Sequence, residues 1–247
     1  VKQLVLPKGS RNGDVVTLGG KDHHYLAHVR RIAAGERVAA LENGARLLLE
    51  VTGVGASSLT LQVVEATAAV PSGPRIVLFP FLLKARKLDD VVRQAGEAGV
   101  SQVVPVLGDH CVSRSETDHK HERWNLIARE AAQQSGNARV CEVLPVLPSR
   151  EVPAWWDDRA GPLLFFHQQA LDNASLHRYL FSRPETVGLV VGPEGGLSAE
   201  EVALFRSRGA SPVWLGPFVL RAETASLYAV AAVNAILQES REWTIPT

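Results

Sequence analysis

The chain has 247 residues, 46% hydrophobic and 21% charged, a globular composition able to bury one sizeable core or two unequal ones. Its 26 basic side chains equal its 26 acidic ones, which excludes a protein that holds a polyanion by bulk charge alone. No apolar run reaches the ~18 residues that cross a bilayer, the start lacks a signal-peptide core, and Cys111 and Cys141 form neither a disulfide framework nor a zinc spacing, so a reducing cytoplasmic setting is expected.

Residues 1–70 read as short strands over 3–6, 14–18, 36–41, 46–54 and 58–65, separated by glycines. Asn43-Gly44 between two apolar runs is a hairpin signal, and the close spacing of the strands predicts a small β-barrel. Residues 21–31 read as one inserted helix with Leu26 and Val29 on its buried side and Tyr25 at the edge. His24 and His28 are four apart and share a helix face, continued by Arg30 and Arg31. No Glu or Cys follows at zinc-site spacing, so that face is either a ligand-facing surface or a solvated one, and metal is not expected. This part is slightly basic, with 8 Lys and Arg against 6 Asp and Glu.

Val70-Pro71-Ser72-Gly73-Pro74 breaks the pattern and marks a boundary between residues 1–70 and 71–247. Beyond it the periodicity alternates: strand 75–83, helix 88–99, strand 102–107, helix 121–135, strand 140–146, short helix 150–157 and strand 163–167. Such alternation predicts a mostly parallel sheet with helices on both faces.

Residues 186–237 then repeat one unit twice: an apolar strand, a Gly/Pro loop and a helix. The strand at 187–191 runs into Gly192-Pro193-Glu194-Gly195-Gly196, after which Ser198 and Glu201 have capping-box spacing. The strand at 213–215 runs into Gly216-Pro217-Phe218-Val219-Leu220-Arg221 and a helix from about Ala222. Loops leaving the carboxyl ends of strands in an open α/β sheet are where ligands bind. Neither loop is GxGxxG or GxxxxGK[ST], so neither a Rossmann turn nor a P-loop is indicated.

Together, GPEGGLSAEEV and LGPFVLRAETA resemble the carboxyl-terminal signature of the RsmE family of SPOUT methyltransferases. Members methylate N3 of a uridine in 16S ribosomal RNA of the small ribosomal subunit with S-adenosyl-L-methionine. The resemblance implies a trefoil-knotted, mostly parallel α/β domain over 71–247, a PUA-like RNA-binding β-barrel over 1–70, a homodimer, and neither metal nor membrane. Carried over, the cofactor contacts are Phe166, His167, Gly192, Pro193, Glu194, Gly195, Gly196, Leu215, Gly216, Val219, Leu220, Arg221, Thr224 and Ala225. The RNA-facing residues are His24, His28, Arg30 and Arg31, near the family's H–HVLR–GD pattern.

The implied chemistry must displace the N3 proton of uracil while a methyl group arrives in line, which positioning can favour by ~7–11 kcal/mol. A cation beside the uracil oxygens would offset the developing negative charge, and a carboxylate could take the proton. Arg221 suits the first role; Glu194 or Glu223 suits the second, or orders the loop instead. Several positions depart from the family pattern: Gln94 and Gly96 in VVRQAGEAGV, His110, Asn137 and Gln168 stand where Lys, Thr, Arg, Arg and Glu are usual, while Glu130 and Gln134 are kept. Two further readings therefore stay open: a SPOUT enzyme with another RNA target, and a non-catalytic RNA-binding protein that kept the fold.

Overall fold

The computed structural model describes residues 2–68, 73–112, 118–157, 159, 161–172 and 174–239. Two units follow from the chain's internal contacts, Val1–Pro71 with Ala132–Arg139, and Ser72–Ala131 with Val140–Thr247. Of the expected boundary segment, residues 70–72 lie outside the described residues.

The first unit is a six-stranded sheet built from β1 (Leu4–Val5), β2 (Arg11–Asn12), β3 (Val15–Gly19), β4 (Arg37–Glu42), β5 (Ala45–Val54) and β6 (Ser58–Ala68), in the order β1-β4-β5-β6-β3-β2. Only β1 pairs in parallel, with β4; the other pairs are antiparallel. Asn43 (φ +47) and Gly44 (φ +78) turn β4 into β5, both left-handed as a type I′ hairpin requires. Alternation sends Val16, Leu18, Leu47, Leu49, Leu59 and Leu61 to one face, where they form a buried core. Register shifts at Leu48/Leu49 and Val51/Gly53 mark bulges, which bend a strand and increase its twist.

The expected single helix at 21–31 is instead one α-helical turn, α1 (Gly20–His23), followed by a π-helical stretch, His24–Val29. The wider turn, closed by Arg30 N–H donating to Tyr25 O at 2.9 Å, shifts the helix face. Leu26 is buried as expected, but Val29 is 62% exposed, and Ile32 is buried in the core instead.

The second unit carries a six-stranded, all-parallel sheet in the order β10-β8-β7-β13-β12-β14. Its strands are β7 (Arg75–Pro80), β8 (Gln102–Val103), β10 (Glu142–Val143), β12 (Leu163–Phe166), β13 (Thr186–Val191) and β14 (Ser211–Val213). Its helices are α2 (Lys87–Glu97), α3 (Asp118–Ser135, whose last residues from Ala132 belong to the first unit), α4 (Val152–Asp157), α5 (Leu176–Leu180), α6 (Ala199–Ser207) and α7 (Ala222–Glu239). The expected strands 102–107 and 140–146 are shorter, and a separate parallel pair, β9 (Val106–Leu107) with β11 (Leu147–Pro148), lies beyond them. Pro105 has no N–H to donate, and its carbonyl accepts from Leu147 N instead. Helix α5, which lacks a clear apolar period, begins where the Ser175 side chain accepts from Arg178 N.

Strand β13 is hydrogen-bonded to β7 on one side and β12 on the other, and Val187 to Val191 are all buried. That is why the run is apolar throughout instead of alternating. Among the described residues no helix is long and apolar enough to cross a membrane.

Gly161 precedes β12 with φ +145, and a Cβ there would overlap the backbone carbonyl of Thr186. Gly161→Ala should destabilise the fold by about 2–4 kcal/mol, since strain in φ adds to a clash that the main chain must absorb. Denaturant unfolding with an unchanged midpoint would contradict this.

Candidate functional site

Strands β7, β12, β13 and β14 point their carboxyl ends the same way, and the loops leaving β12, β13 and β14 surround a cavity of about 430 Å³. That volume lies within the ~300–1,000 Å³ of small-molecule sites. Every residue of the expected cofactor set lines it except Gly195 and Thr224, which are exposed on the neighbouring backbone. Sequence reasoning did not include Lys87, Gln168, Val191, Leu197, Phe218 and Ala222, which complete the wall. Of these, Val191 ends β13 and Phe218 lies within the second loop, and these two carried a signal of position; Lys87 opens α2, far from both loops in sequence.

The loop after β13 is held from below by a buried carboxylate. Glu201, 4% exposed, accepts from Ser198 N (2.9 Å) and from Asp109 N (3.0 Å), while the Ser198 hydroxyl accepts from Glu201 N (3.1 Å) and donates to Asp109 Oδ2 (2.6 Å). The capping box read from Ser198 and Glu201 is present, and it also anchors the loop at 108–110. In that loop Gly108 admits no side chain, since a Cβ would overlap Phe81 and Glu201. His110 Nδ1 lies 3.1 Å from the Gly196 carbonyl, so the histidine at this usually basic position ties down the glycine loop.

The glycines of the loop have different reasons. A Cβ on Gly192 would meet Leu197 Cγ, Cδ2 and N, each at 3.2 Å, so this glycine lets the loop fold back on itself at the cavity wall. Gly196 has φ +75, which only glycine adopts freely. A Cβ on Gly195 would instead meet the His110 side chain at 3.0 Å, so its smallness serves loop packing.

Of the three residues expected to carry the chemistry, Glu194 and Arg221 line this cavity, and Glu223 reaches it through Lys87. Arg221 is exposed at its rim and makes no ion pair with any described residue, while its carbonyl accepts from Ala225 N at 2.8 Å as α7 begins. Glu194 Oε1 and Glu223 Oε2 each lie 3.3 Å from Lys87 Nζ. Glu194 Oε1 also accepts from Lys84 N at 3.3 Å. Partial burial pushes the Glu194 carboxyl up, but its own backbone N–H, that of Lys84 and the Lys87 ammonium outweigh it and hold the group below its ordinary 4.5. Partial burial likewise pulls Lys87 down, yet Glu194 and Glu223 outweigh it and hold the ammonium above its ordinary 10.5.

In the first unit His24, His28, Arg30 and Arg31 are all exposed. The His24 and His28 rings lie 5.2 Å apart, and His28 is 5.6 Å from His23, which is buried with Nε2 3.0 Å from Gly55 O. Among the described residues no three His, Cys, Asp or Glu side chains are grouped to hold a metal ion.

Residues 71–234 match the family model of an RNA methyltransferase domain. Over 236 residues the chain is 30% identical to ribosomal RNA small subunit methyltransferase E of Mycobacterium bovis, covering 91% of this chain and 87% of that protein. It is 26% identical to the protein of that name from Bacillus subtilis over 227 residues, 88% of this chain and 89% of the relative. The crystal structure of a ribosomal RNA small subunit methyltransferase E from Neisseria gonorrhoeae bound to S-adenosyl methionine superposes with a TM-score of 0.82 over 95% of this chain and 97% of its own, at 23% identity. At that identity the likeness is one of fold.

A lowered Glu194 value makes a definite prediction. Its pairing contributes stability that is present above the unfolded-state value near 4.5 and is lost as pH falls through the lower folded-state value. Glu194→Gln should therefore lower stability at neutral pH and flatten the acid limb of a stability–pH profile below about pH 5. An unchanged acid limb would show that the carboxylate gains nothing from Lys84 and Lys87.

Proposed function

The chain belongs to the ribosomal RNA small subunit methyltransferase E family and has the SPOUT fold, and on that premise we propose that it methylates N3 of a uridine in small-subunit ribosomal RNA, using S-adenosylmethionine. The observation that carries the reading is one cavity, at the carboxyl ends of β12, β13 and β14, walled by nearly all of the residues that the family motifs nominate for the cofactor. Its apolar wall (Phe166, Val191, Leu197, Leu215, Ala225) suits an adenosine ring, and its glycine-bearing loops suit a polar tail. Bound there, the cofactor supplies a methyl group on a sulfonium, an electrophile that needs no further activation.

The protein's own residues then have three tasks. Arg221, at the cavity rim with no carboxylate to neutralise it among the described residues, can direct its charge to the uracil oxygens as N3 loses its proton. Glu194 is held ionised by several donors, which makes it a weak base and suits it to ordering the loop. Glu223, two residues after Arg221, shares Lys87 with Glu194 at the same 3.3 Å, so it too is suited to ordering the site, and of the two carboxylates it is the one nearer in sequence to Arg221. The exposed His24, His28, Arg30 and Arg31 of the first unit supply an RNA-facing surface, which supports reading that unit as a PUA-like binding module. Leu227 and Tyr228 on α7, with Phe218 and Val219 before it, leave apolar surface exposed that suits a homodimer contact.

Saturating S-adenosylmethionine should raise the melting temperature of the full chain, because a ligand that binds only the folded state stabilises it by mass action. No shift at concentrations well above those that saturate related enzymes would favour a binding protein that kept only the fold.

Arg221→Ala should cost about 2.7–4 kcal/mol of transition-state stabilisation, comparable to losing one oxyanion donor. Arg221→Lys should recover only part of this, since a point charge lacks the guanidinium's planar fork. Single-turnover methyl transfer, with cofactor affinity by calorimetry alongside, tests the assignment. A wild-type rate, or a defect wholly in cofactor binding, would remove Arg221 from the chemistry.

A further inference from the structure

Lys87 is the first residue of α2, and its side chain is one-third exposed into the cavity. Its ammonium stands 3.3 Å from a carboxylate oxygen in each of two segments: Glu194 in the loop after β13, and Glu223 in the first turn of α7. The turn that carries it also presents Lys84 N to Glu194, at 3.3 Å. Glu223 Oε2 is out of contact with solvent and has no hydrogen bond among the described residues, so the Lys87 ion pair is what compensates its charge. Without the ammonium, two carboxylates converging on one point would repel, and the segments bearing them would separate.

Resting on the cofactor reading above, we propose that Lys87 is the positioning residue of this site: one ammonium clamps the glycine loop to the start of α7 and thereby fixes where Arg221 stands relative to the cofactor. The geometry gives the clamp its logic. Glu194 is flanked by Pro193 and Gly195 in the loop, and Glu223 follows Arg221 by two residues, so a pull on the two carboxylates sets the distance between the cofactor loop and the residue that faces the base. Three rotatable N–H donors on one ammonium can serve two carboxylates that come from different directions. The role is to hold, and it is exerted through Glu194 and Glu223.

Hydrogen exchange of the ligand-free full chain tests the clamp without reference to activity. Lys87→Met should speed exchange about tenfold in residues 194–197 and 222–225, with the strands of the parallel sheet unchanged, and Lys87→Arg should restore most of the protection. Equal protection in Lys87→Met and wild type would overturn the proposal, as would loss of protection throughout the unit that Lys87→Arg fails to rescue. Cofactor affinity provides a second arm. Lys87→Met should weaken S-adenosylmethionine binding about tenfold in the wild-type background but less than about twofold where Glu194→Gln and Glu223→Gln are already present, as expected when one residue acts through others. Fully additive losses would mean that Lys87 touches the ligand directly and would overturn the positioning role. Failure of the wild-type chain to bind S-adenosylmethionine would contradict the proposed function and leave the exchange result to decide the clamp.

Discussion

The second unit depends on β13 being sealed on both edges and both faces. Its backbone is paired to β7 and β12, and five consecutive residues, Val187 to Val191, are buried. A strand so enclosed has no polar face to carry function, and its chemistry must begin where pairing stops. Pairing ends at Val191, and the next residue, Gly192, is where the chain folds back against Leu197. Its neighbour β12 and, beyond that, β14 end at the same level, with Phe166 opposite Val191 on one side and Val213 on the other, so three loops are delivered to one place.

Loops without regular structure must be fixed by something else, and here charge does it. Below the glycine loop the buried Glu201 binds two backbone N–H groups, one from its own helix cap and one from Asp109. Above it Glu194 is held by Lys84 N and Lys87. The first anchor is fully enclosed and satisfied by hydrogen bonds, as a buried carboxylate must be. The second is partly open to the cavity, and there an ionised network can respond to what enters.

Much of this was readable in the sequence because it is local. Asn43-Gly44 specifies its turn by φ alone, and Ser198 with Glu201 specifies its cap by spacing alone. The loops at 192–196 and 216–221 were readable as a pair of motifs. What was not readable is what depends on contacts between distant segments. Nothing in Lys84 to Lys87 announces that it faces Glu194, and nothing in Ser198 announces Asp109, 89 residues earlier. The π-helical turn at His24–Val29 was missed for a related reason: its extra width is a small local cost set by where Leu26 and Ile32 must go, and an apolar period of 3.6 has no way to express it.

The positions that depart from the family pattern have particular settings here. Gly96 lies where a Cβ would come within 2.9 Å of the Ala131 Cβ, so its smallness lets α2 and α3 pack closely. Asn137 is used in its own turn, accepting from Arg139 N through Oδ1 and from the Gln3 side chain through its carbonyl. Gln94 Oε1 is buried with no hydrogen bond among the described residues. Of these, Gln168 lines the cavity and His110 braces one of its loops. The most direct measurement is the site of methylation: small ribosomal subunits from a strain lacking the modification, incubated with the full chain and S-adenosylmethionine, then digested and mapped by mass spectrometry. The account predicts one methyl group per subunit, on N3 of a single uridine; no transfer, or transfer to another base or atom, would contradict it.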